Sequence, residues 1–318
     1  ELNSVQGEAA ISGNLASIYK LTGEFETALD YANRALALHR KTNQKGNEAN
    51  TLNTIGTIYD DMGEPQKALS YFNESLKTFQ EVNQIRKQAV ALNNIGAAYS
   101  KLGNKPRALD IYLKVLTLVR ESGNKVGEAR TLSNIGSIYT SFGDSKKSLE
   151  YLSQALALSR QTKERLGESV TLTTIGLAHQ ELGDSDKALE FLQKALVIAQ
   201  EIYAKQQQVV ILNHLGKLFT SLNFKEKSLD SFNRSLAISE AIGDTFEQSK
   251  TLLELAEIDR EKGNFQEAEN KINTAVKFAE NYRAKIGSQE LKTSFLSISQ
   301  NLYKFYVNLL MQLHKQSP

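Results

Sequence analysis

Side-chain amides and hydroxyls return at fixed places along this chain. Asn53, Asn93, Ser133, Thr173 and Asn213 stand forty residues apart, and Thr54, Asn94, Asn134, Thr174 and His214 each follow by one. An Asn side chain offers a donor and an acceptor together, so a row of them can pair with the amides of an extended polypeptide whatever its sequence. Asn50, Thr57, Asp60, Ser100, Ser137, Thr140 and Gln180 share that face, because at about 100° per residue they project away from the apolar residues beside them. Two readings are open, a ligand-holding surface or a helix face kept soluble, and recurrence on one face favours the first. Toward the C-terminus the face becomes charged, with His214, Lys217, Glu254, Glu257, Arg260 and Glu261. Those charges either set the polarity of a ligand or pair with one another at the surface.

Residue types that carry catalysis are scarce. The four histidines, His39, His179, His214 and His314, are far apart, and no His-Glu-x-x-His pair, phosphate loop, dinucleotide fingerprint or Gly-x-Ser-x-Gly elbow occurs. There is no Cys, which excludes thiolate metal sites, disulfides and a cysteine nucleophile and fits a reducing, cytoplasmic setting. The expectation is a non-enzyme with no cofactor and no metal. Lys plus Arg number 38 and Asp plus Glu 36, a net charge of +2 that gives no global pull toward nucleic acid or membrane. No apolar run approaches the roughly 18 residues of a membrane span, and no signal peptide opens the chain. Gly7-Glu8-Ala9 aligns with Gly127-Glu128-Ala129, so the chain reads as cut from a longer protein.

The elements that must position the amides follow from the same period. Units begin near Ile11, Thr51, Ala91, Thr131, Thr171, Ile211 and Thr251, with a degenerate start at Leu291. A fixed period of 20 to 50 residues marks a solenoid whose units bury apolar faces only against their neighbours. Leu52, Ile55, Ile58 and Tyr59 form the stripe of a first amphipathic helix. Gly63 stops it, in a column shared by Gly23, Gly103, Gly143, Gly183 and Gly263, with Asn at 223. A second helix starts at once, with Asn104, Asp144, Asp184 and Asn264 as N-caps and Pro65 and Pro106 in the first turn. Gly56, Gly96, Gly136, Gly176 and Gly216 lie inside first helices, where each costs about 1 kcal/mol relative to Ala. Close approach of Ala68, Ala108, Ser148, Ala188 and Ser228 on the second helix is the expected compensation.

Leu52-x-x-Ile55-Gly56-x-x-Tyr59, followed by Ala68 and Phe72, resembles the tetratricopeptide repeat, over roughly residues 5 to 285. Such repeats usually run 34 residues and close on Pro. Here Arg40, Gln80, Arg120, Arg160, Gln200, Glu240 and Glu280 take that place, so the helices extend to a 40-residue period. The resemblance implies an all-α, right-handed superhelical solenoid of seven helix-turn-helix repeats over 1–290, with a C-terminal capping or connecting helix over 291–318. It further implies that the amide face lines a concave groove for a protein segment or extended peptide. Long repeats of this kind are similar to the Pins/LGN-type scaffolds and to bacterial arrays that precede a CHAT peptidase domain. The Tyr303–His314 stretch resembles the helix before such a domain, which makes a regulatory arm the leading reading and a passive scaffold the alternative. The clamp by which chaperone-tail repeats hold a terminal carboxylate is missing, since Lys217 stands alone. Arrays that read RNA run about 35 residues and need basic groove ends, so nucleic acid is a weak third. The oligomeric state stays open, with a monomer as the default.

Overall fold

The computed structural model describes residues 2–286 and 289–316, and among them all regular structure is helical. Seven helix pairs carry the repeats: α1 (Leu2–Leu21) with α2 (Phe25–Lys41), α3 (Lys45–Asp61) with α4 (Pro65–Glu81), and α5 (Ile85–Lys101) with α6 (Lys105–Glu121). Then follow α7 (Lys125–Ser141) with α8 (Ser145–Gln161), α9 (Arg165–Glu181) with α10 (Ser185–Glu201), α11 (Lys205–Ser221) with α12 (Lys225–Ala241), and α13 (Thr245–Glu261) with α14 (Phe265–Ala284). Two further helices, α15 (Gln289–Ile298) and α16 (Gln300–Gln316), close the chain. The molecule divides into two compact units, Glu1–Thr131 with Lys285–Leu291, and Leu132–Ala284 with Lys292–Pro318. Within each, successive pairs stack, first helix beside first helix.

Each helix from α2 to α13 spans 17 residues and is followed by a three-residue turn, so the backbone repeats every twenty residues and not only every forty. The turn is the Schellman arrangement: Gly63 N–H donates to the Asp60 carbonyl (3.1 Å) and Glu64 N–H to the Tyr59 carbonyl (2.8 Å), with Gly63 left-handed at φ 69°. The column predicted within repeats behaves this way, including Asn223 at φ 61°. The turns between repeats use the same motif, with Asn43, Asn83, Gly123, Lys163, Tyr203 and Gly243 left-handed. Lys163 (φ 57°) and Tyr203 (φ 55°) hold that conformation against the Cβ penalty, which is why composition hides these turns. Side-chain caps form at Asn104, Asp144 and Asp184, and also at Asn124 and Asp244 in the turns between repeats.

The mid-helix glycines do face the second helix, but their main neighbours are large. A Cβ on Gly56 would lie 2.6 Å from the Phe72 ring, one on Gly96 2.7 Å from Tyr112, one on Gly136 2.6 Å from Leu152, and one on Gly216 2.5 Å from Phe232. The small residues Ala68, Ser148 and Ala188 contribute their backbone carbonyls, 3.2 to 3.3 Å from the built Cβ of Gly56, Gly136 and Gly176. The expectation of small against small is therefore corrected: the glycine is the hole into which the largest core side chain of the second helix fits. Phe72, Tyr112, Leu152, Leu192 and Phe232 are all buried.

The place where shorter repeats carry Pro does structural work of another kind. Arg40 donates to Glu48 (3.0 Å), Arg120 to Glu128 (2.9 Å) and Arg160 to Glu168 (3.0 Å), tying a second helix to the first helix that follows. Where Gln replaces Glu, its amide reaches back to a carbonyl at the end of the preceding helix: Gln88 to Phe79, Gln208 to Ala199 and Gln248 to Ser239.

At the C-terminal end α16 packs on α14 and α13. Tyr303 donates to Glu280 (2.5 Å), Arg260 lies over the Phe305 ring (4.7 Å), and Leu302, Phe305 and Leu309 are buried. Phe295 of α15 stacks on Tyr282 at 5.2 Å. Leu310 of the same helix as Leu302, Phe305 and Leu309 remains exposed.

Two substitutions should move stability in opposite directions. Gly136→Ala improves helix propensity yet drives a methyl into Leu152, so it is expected to destabilise by about 1–3 kcal/mol. Tyr203→Gly removes a left-handed non-glycine residue and should stabilise by roughly 1 kcal/mol. Urea denaturation of both variants beside the parent chain checks the pair.

Candidate functional site

The first helices present the residues singled out above in two ranks. Asn50, Thr54, Thr57, Asp60, Asn93, Asn94, Ser100, Asn134, Thr140, Gln180 and His214 are half-buried, and Ser137 and Lys217 are exposed. Asn53 is also half-buried and reaches the next repeat: Asn94 Nδ2 donates to Asn53 Oδ1 at 3.0 Å. This bond uses one donor of Asn94 and one acceptor of Asn53. An amide has capacity for more on each side, so the pair is oriented and can still give and accept.

Ser133, Thr173 and Asn213 do not belong to the accessible surface, with relative exposures of 3%, 4% and 6%. Thr173 and Asn213 face the adjacent first helix. Gln207 donates to the Thr173 hydroxyl (3.0 Å), and Thr251 donates to the Asn213 oxygen (2.8 Å). Asn213 in turn donates to Glu247 (3.2 Å). A helical wheel drawn for one helix cannot show this, because the burying surface belongs to the next repeat. The Ser133 hydroxyl is enclosed without a hydrogen-bond partner. Hydroxyls beside this column are turned inward: Thr54 onto the Asn50 carbonyl, Thr57 onto the Thr54 carbonyl and Thr140 onto the Gly136 carbonyl of their own helices, with Thr140 also against the Ser148 hydroxyl of α8.

Valines interleave with the amides, which the polar reading missed although the column was visible. Val90 (38% exposed) stands where Asn50 stands in the repeat before it, and half-buried Val170 and Val210 hold the same position further on. Apolar groups thus stand beside the amides in that column, which also holds Arg130 and Lys250, suited to a chain that presents both backbone and side chains.

Several charges on this face pair with one another, whereas the Glu257 carboxyl is raised by burial and by Glu254 beside it. Lys217 binds Glu254 (2.8 Å), which corrects its reading as a lone cation, and Lys250 binds Glu247 (2.7 Å). Asp60 lies 3.5 Å from Lys101, which also donates to the Asp60 carbonyl (3.2 Å), and Lys20 pairs with Asp61 (3.2 Å). Burial raises the Asp61 carboxyl above its ordinary value, more than Lys20 lowers it. Arg260 is engaged by Phe305 of α16. For Glu247, burial pushes upward, but Lys250 and Asn213 together bring it below the ordinary value. His214 is driven down to about 4 by burial, with Lys217 and Lys250 adding to the effect. At neutral pH it is an uncharged ring with one donor and one acceptor, the same chemistry as the Asn side chains in its column. His179 stacks on Phe191 at 5.5 Å and is part of the packing. Among the described residues no group of three or more His, Cys, Asp or Glu side chains could hold a metal, and no helix is long and apolar enough to cross a membrane.

An array of paired helices with an amide-lined first-helix face defines an α-helical repeat protein of the binding class. The family described as Tetratricopeptide repeat matches residues 7–81, 87–161 and 167–241, and the chain belongs to it. A shorter match, over residues 214–301, is to the family described as Anaphase-promoting complex subunit 5. No curated protein matches the sequence. Solved structures of similar fold include a Rap protein complexed with Competence and Sporulation Factor, with 15% identity, 98% of this chain and 99% of that one covered, and a TM-score of 0.59. The Rap conjugation gene regulator of plasmid pLS20, in complex with the Phr* peptide, has 15% identity, coverages of 85% and 76%, and a TM-score of 0.62. The apo quorum sensor NprR from B. thuringiensis has 20% identity, coverages of 84% and 75%, and a TM-score of 0.60. The chain is a protein-interaction module of the tetratricopeptide-repeat family.

The depressed His214 value has a measurable consequence. Between pH 6.5 and about 4 the unfolded chain binds a proton there that the folded chain refuses. Stability is therefore expected to fall with acidification through that window and to recover in part in His214→Gln. A ring titration followed by NMR should place the midpoint near 4; a midpoint at the ordinary 6.5 would show the ring to be solvated.

Proposed function

We propose that the chain holds an extended polypeptide segment along the accessible face of its first helices. The observation that carries this is the Asn94–Asn53 amide pair between α3 and α5, oriented by its own bond at 3.0 Å, with Asp60 and Lys101 3.5 Å apart on the same two helices. Asn50, Asn53, Thr57, Asn93, Asn94 and Ser100 are the contact residues proposed on α3 and α5 of the first unit; Asn134, Ser137, Gln180 and the neutral His214 are proposed to offer the same chemistry within the second unit. Val90 and its equivalents receive apolar side chains between the amides. Two solved structures of similar fold hold a Competence and Sporulation Factor and a Phr* peptide, which supports a peptide as the ligand class. The finer reading, that the array is the regulatory arm of a CHAT-peptidase-type protein, is supported by the resemblance of the 303–314 helix; a coding sequence without a His- and Cys-bearing α/β segment next to the array would remove it.

The test is a random ten-residue peptide library passed over the immobilised chain and over an Asn53→Ala, Asn94→Ala double variant. The parent is expected to retain a defined set of peptides. Loss of two amides should weaken them about tenfold or more, at unchanged thermal stability. An identical set retained by both proteins, or none retained by either, would defeat the reading.

A further inference from the structure

One column of the repeats is filled by matched pairs that join the two helices of a unit. Tyr19 stacks on Tyr31 (5.5 Å), Tyr59 on Tyr71 (5.4 Å), Tyr139 on Tyr151 (5.6 Å) and His179 on Phe191 (5.5 Å). Ile111 is the second-helix member in the third repeat and is buried, and the seventh repeat replaces the stack by an ion pair, Asp259 with Lys271 at 2.7 Å. The sixth repeat departs from all of these. Its first helix supplies Phe219, but its second helix supplies Ser231, whose hydroxyl turns onto the Lys227 carbonyl of its own helix (2.7 Å).

A cavity of about 400 Å³ opens at that place. Leu196, Leu212, Leu215 and Phe219 form its apolar floor, and Glu226, Asp230 and Arg234 of α12 stand at its rim. Asp230 and Arg234 pair with each other (3.3 Å). Lys227 lies over the Phe219 ring (5.7 Å) as Lys67 lies over Tyr59 (5.0 Å) and Lys147 over Tyr139 (5.3 Å). The cation of the column is thus retained while the second ring is missing. Phe224 meets Phe219 only edge-on, at 6.4 Å and 66°.

We propose that this cavity receives a Phe or Tyr side chain projecting from a partner polypeptide, which supplies the ring that Ser231 omits. The chain itself displays the bound geometry four times over, with rings stacked on this column at 5.4 to 5.6 Å. Offset stacking on Phe219 adds to the area buried on the three leucines. Charges of both signs around an apolar floor are the layout of an interface anchor, an aromatic group in a pocket ringed by polar contacts. A free aromatic molecule would leave that rim unused, whereas a polypeptide brings backbone and neighbouring side chains to it. The site lies on the Leu212/Leu215/Phe219 side of α11, distinct from the His214/Lys217 face proposed for the extended segment, so either can fail without the other.

The experiment follows leucine methyl signals in NMR spectra of the full chain during titration with acetyl-Gly-Phe-Gly-amide, acetyl-Gly-Ala-Gly-amide and toluene. Saturable shifts at Leu196, Leu212 and Leu215 are expected with the Phe peptide, none with the Ala peptide, and a weaker response with toluene. Ser231→Phe should abolish the shifts and raise Tm by roughly 2–4 °C by filling the cavity. Ser231→Leu serves as a second filler if the larger residue prevents folding. Absence of a saturable shift, an equal response to the Ala peptide, or shifts that persist in a folded filler variant would overturn the site. Toluene saturating the methyls while the Phe peptide does not would overturn the polypeptide as occupant.

Discussion

The left-handed residue that ends each helix sets the conditions for everything else in this molecule. One misplaced turn would change helix length, rotate the next helix by 100°, and put its apolar stripe on the wrong side. The turns recur every twenty residues from Gly23 to Gly263, and twelve consecutive helices are held to 17 residues. Only with that register do the columns align. Gly56 then meets Phe72 and Arg40 meets Glu48, relations that return in later repeats, and Asn53 meets Asn94. The register is strong enough to hold Lys163 and Tyr203 in a conformation each would avoid alone, because the flanking Schellman bonds (Glu164 N–H to Ser159, Ala204 N–H to Ala199, both 2.9 Å) are satisfied regardless of the side chain.

The contacts that hold neighbours together are short-ranged and mostly neutral. Core aliphatics and rings fill each helix pair, and a Gln amide or an Arg–Glu pair closes each junction between repeats. Burial raises the Glu48 and Glu128 carboxyls, but the hydrogen bonds from their Arg and Lys partners outweigh it and hold both below the ordinary value. These pairs are half-exposed on the basic side and contribute modestly to stability. Their value lies in direction: each tells a first helix where to start relative to the second helix before it.

What the sequence made legible follows from which partner decides a residue's environment. The stripe Leu52/Ile55/Ile58, the turn glycines and the caps at Asn104, Asp144 and Asp184 depend on one helix and its own backbone, and they were readable one repeat at a time. Thr173 and Asn213 were misplaced because Gln207 and Thr251 of the next first helix reach them, which a single wheel omits, and Ser133 is buried as well. The neighbours of Gly136 were misjudged for a related reason. Height along a helix pair suggested Ser148, but a large side chain one turn further, Leu152, leans back over the glycine. The turns at Lys163 and Tyr203 carried no compositional mark at all, although the twenty-residue spacing from the glycine column pointed to them.

A repeat array also supplies its own control for every position, since the same environment is sampled several times in one chain. A departure that is compensated, as when Asp259 and Lys271 replace two rings by an ion pair, keeps the local packing whole and calls for no further cause. Phe219 with Ser231 changes one member of the pair and leaves a void. In a globular core such a void is felt throughout, but here each unit couples mainly to its neighbours, so the loss stays local and the array tolerates it. Tolerance explains how the void survives, and Leu212 and Leu215 persist as the core stripe each repeat carries, so the site keeps its apolar floor and the Lys227 cation without the second ring. A site shaped for a ring that the chain does not provide is what an interaction protein can offer to a partner that does.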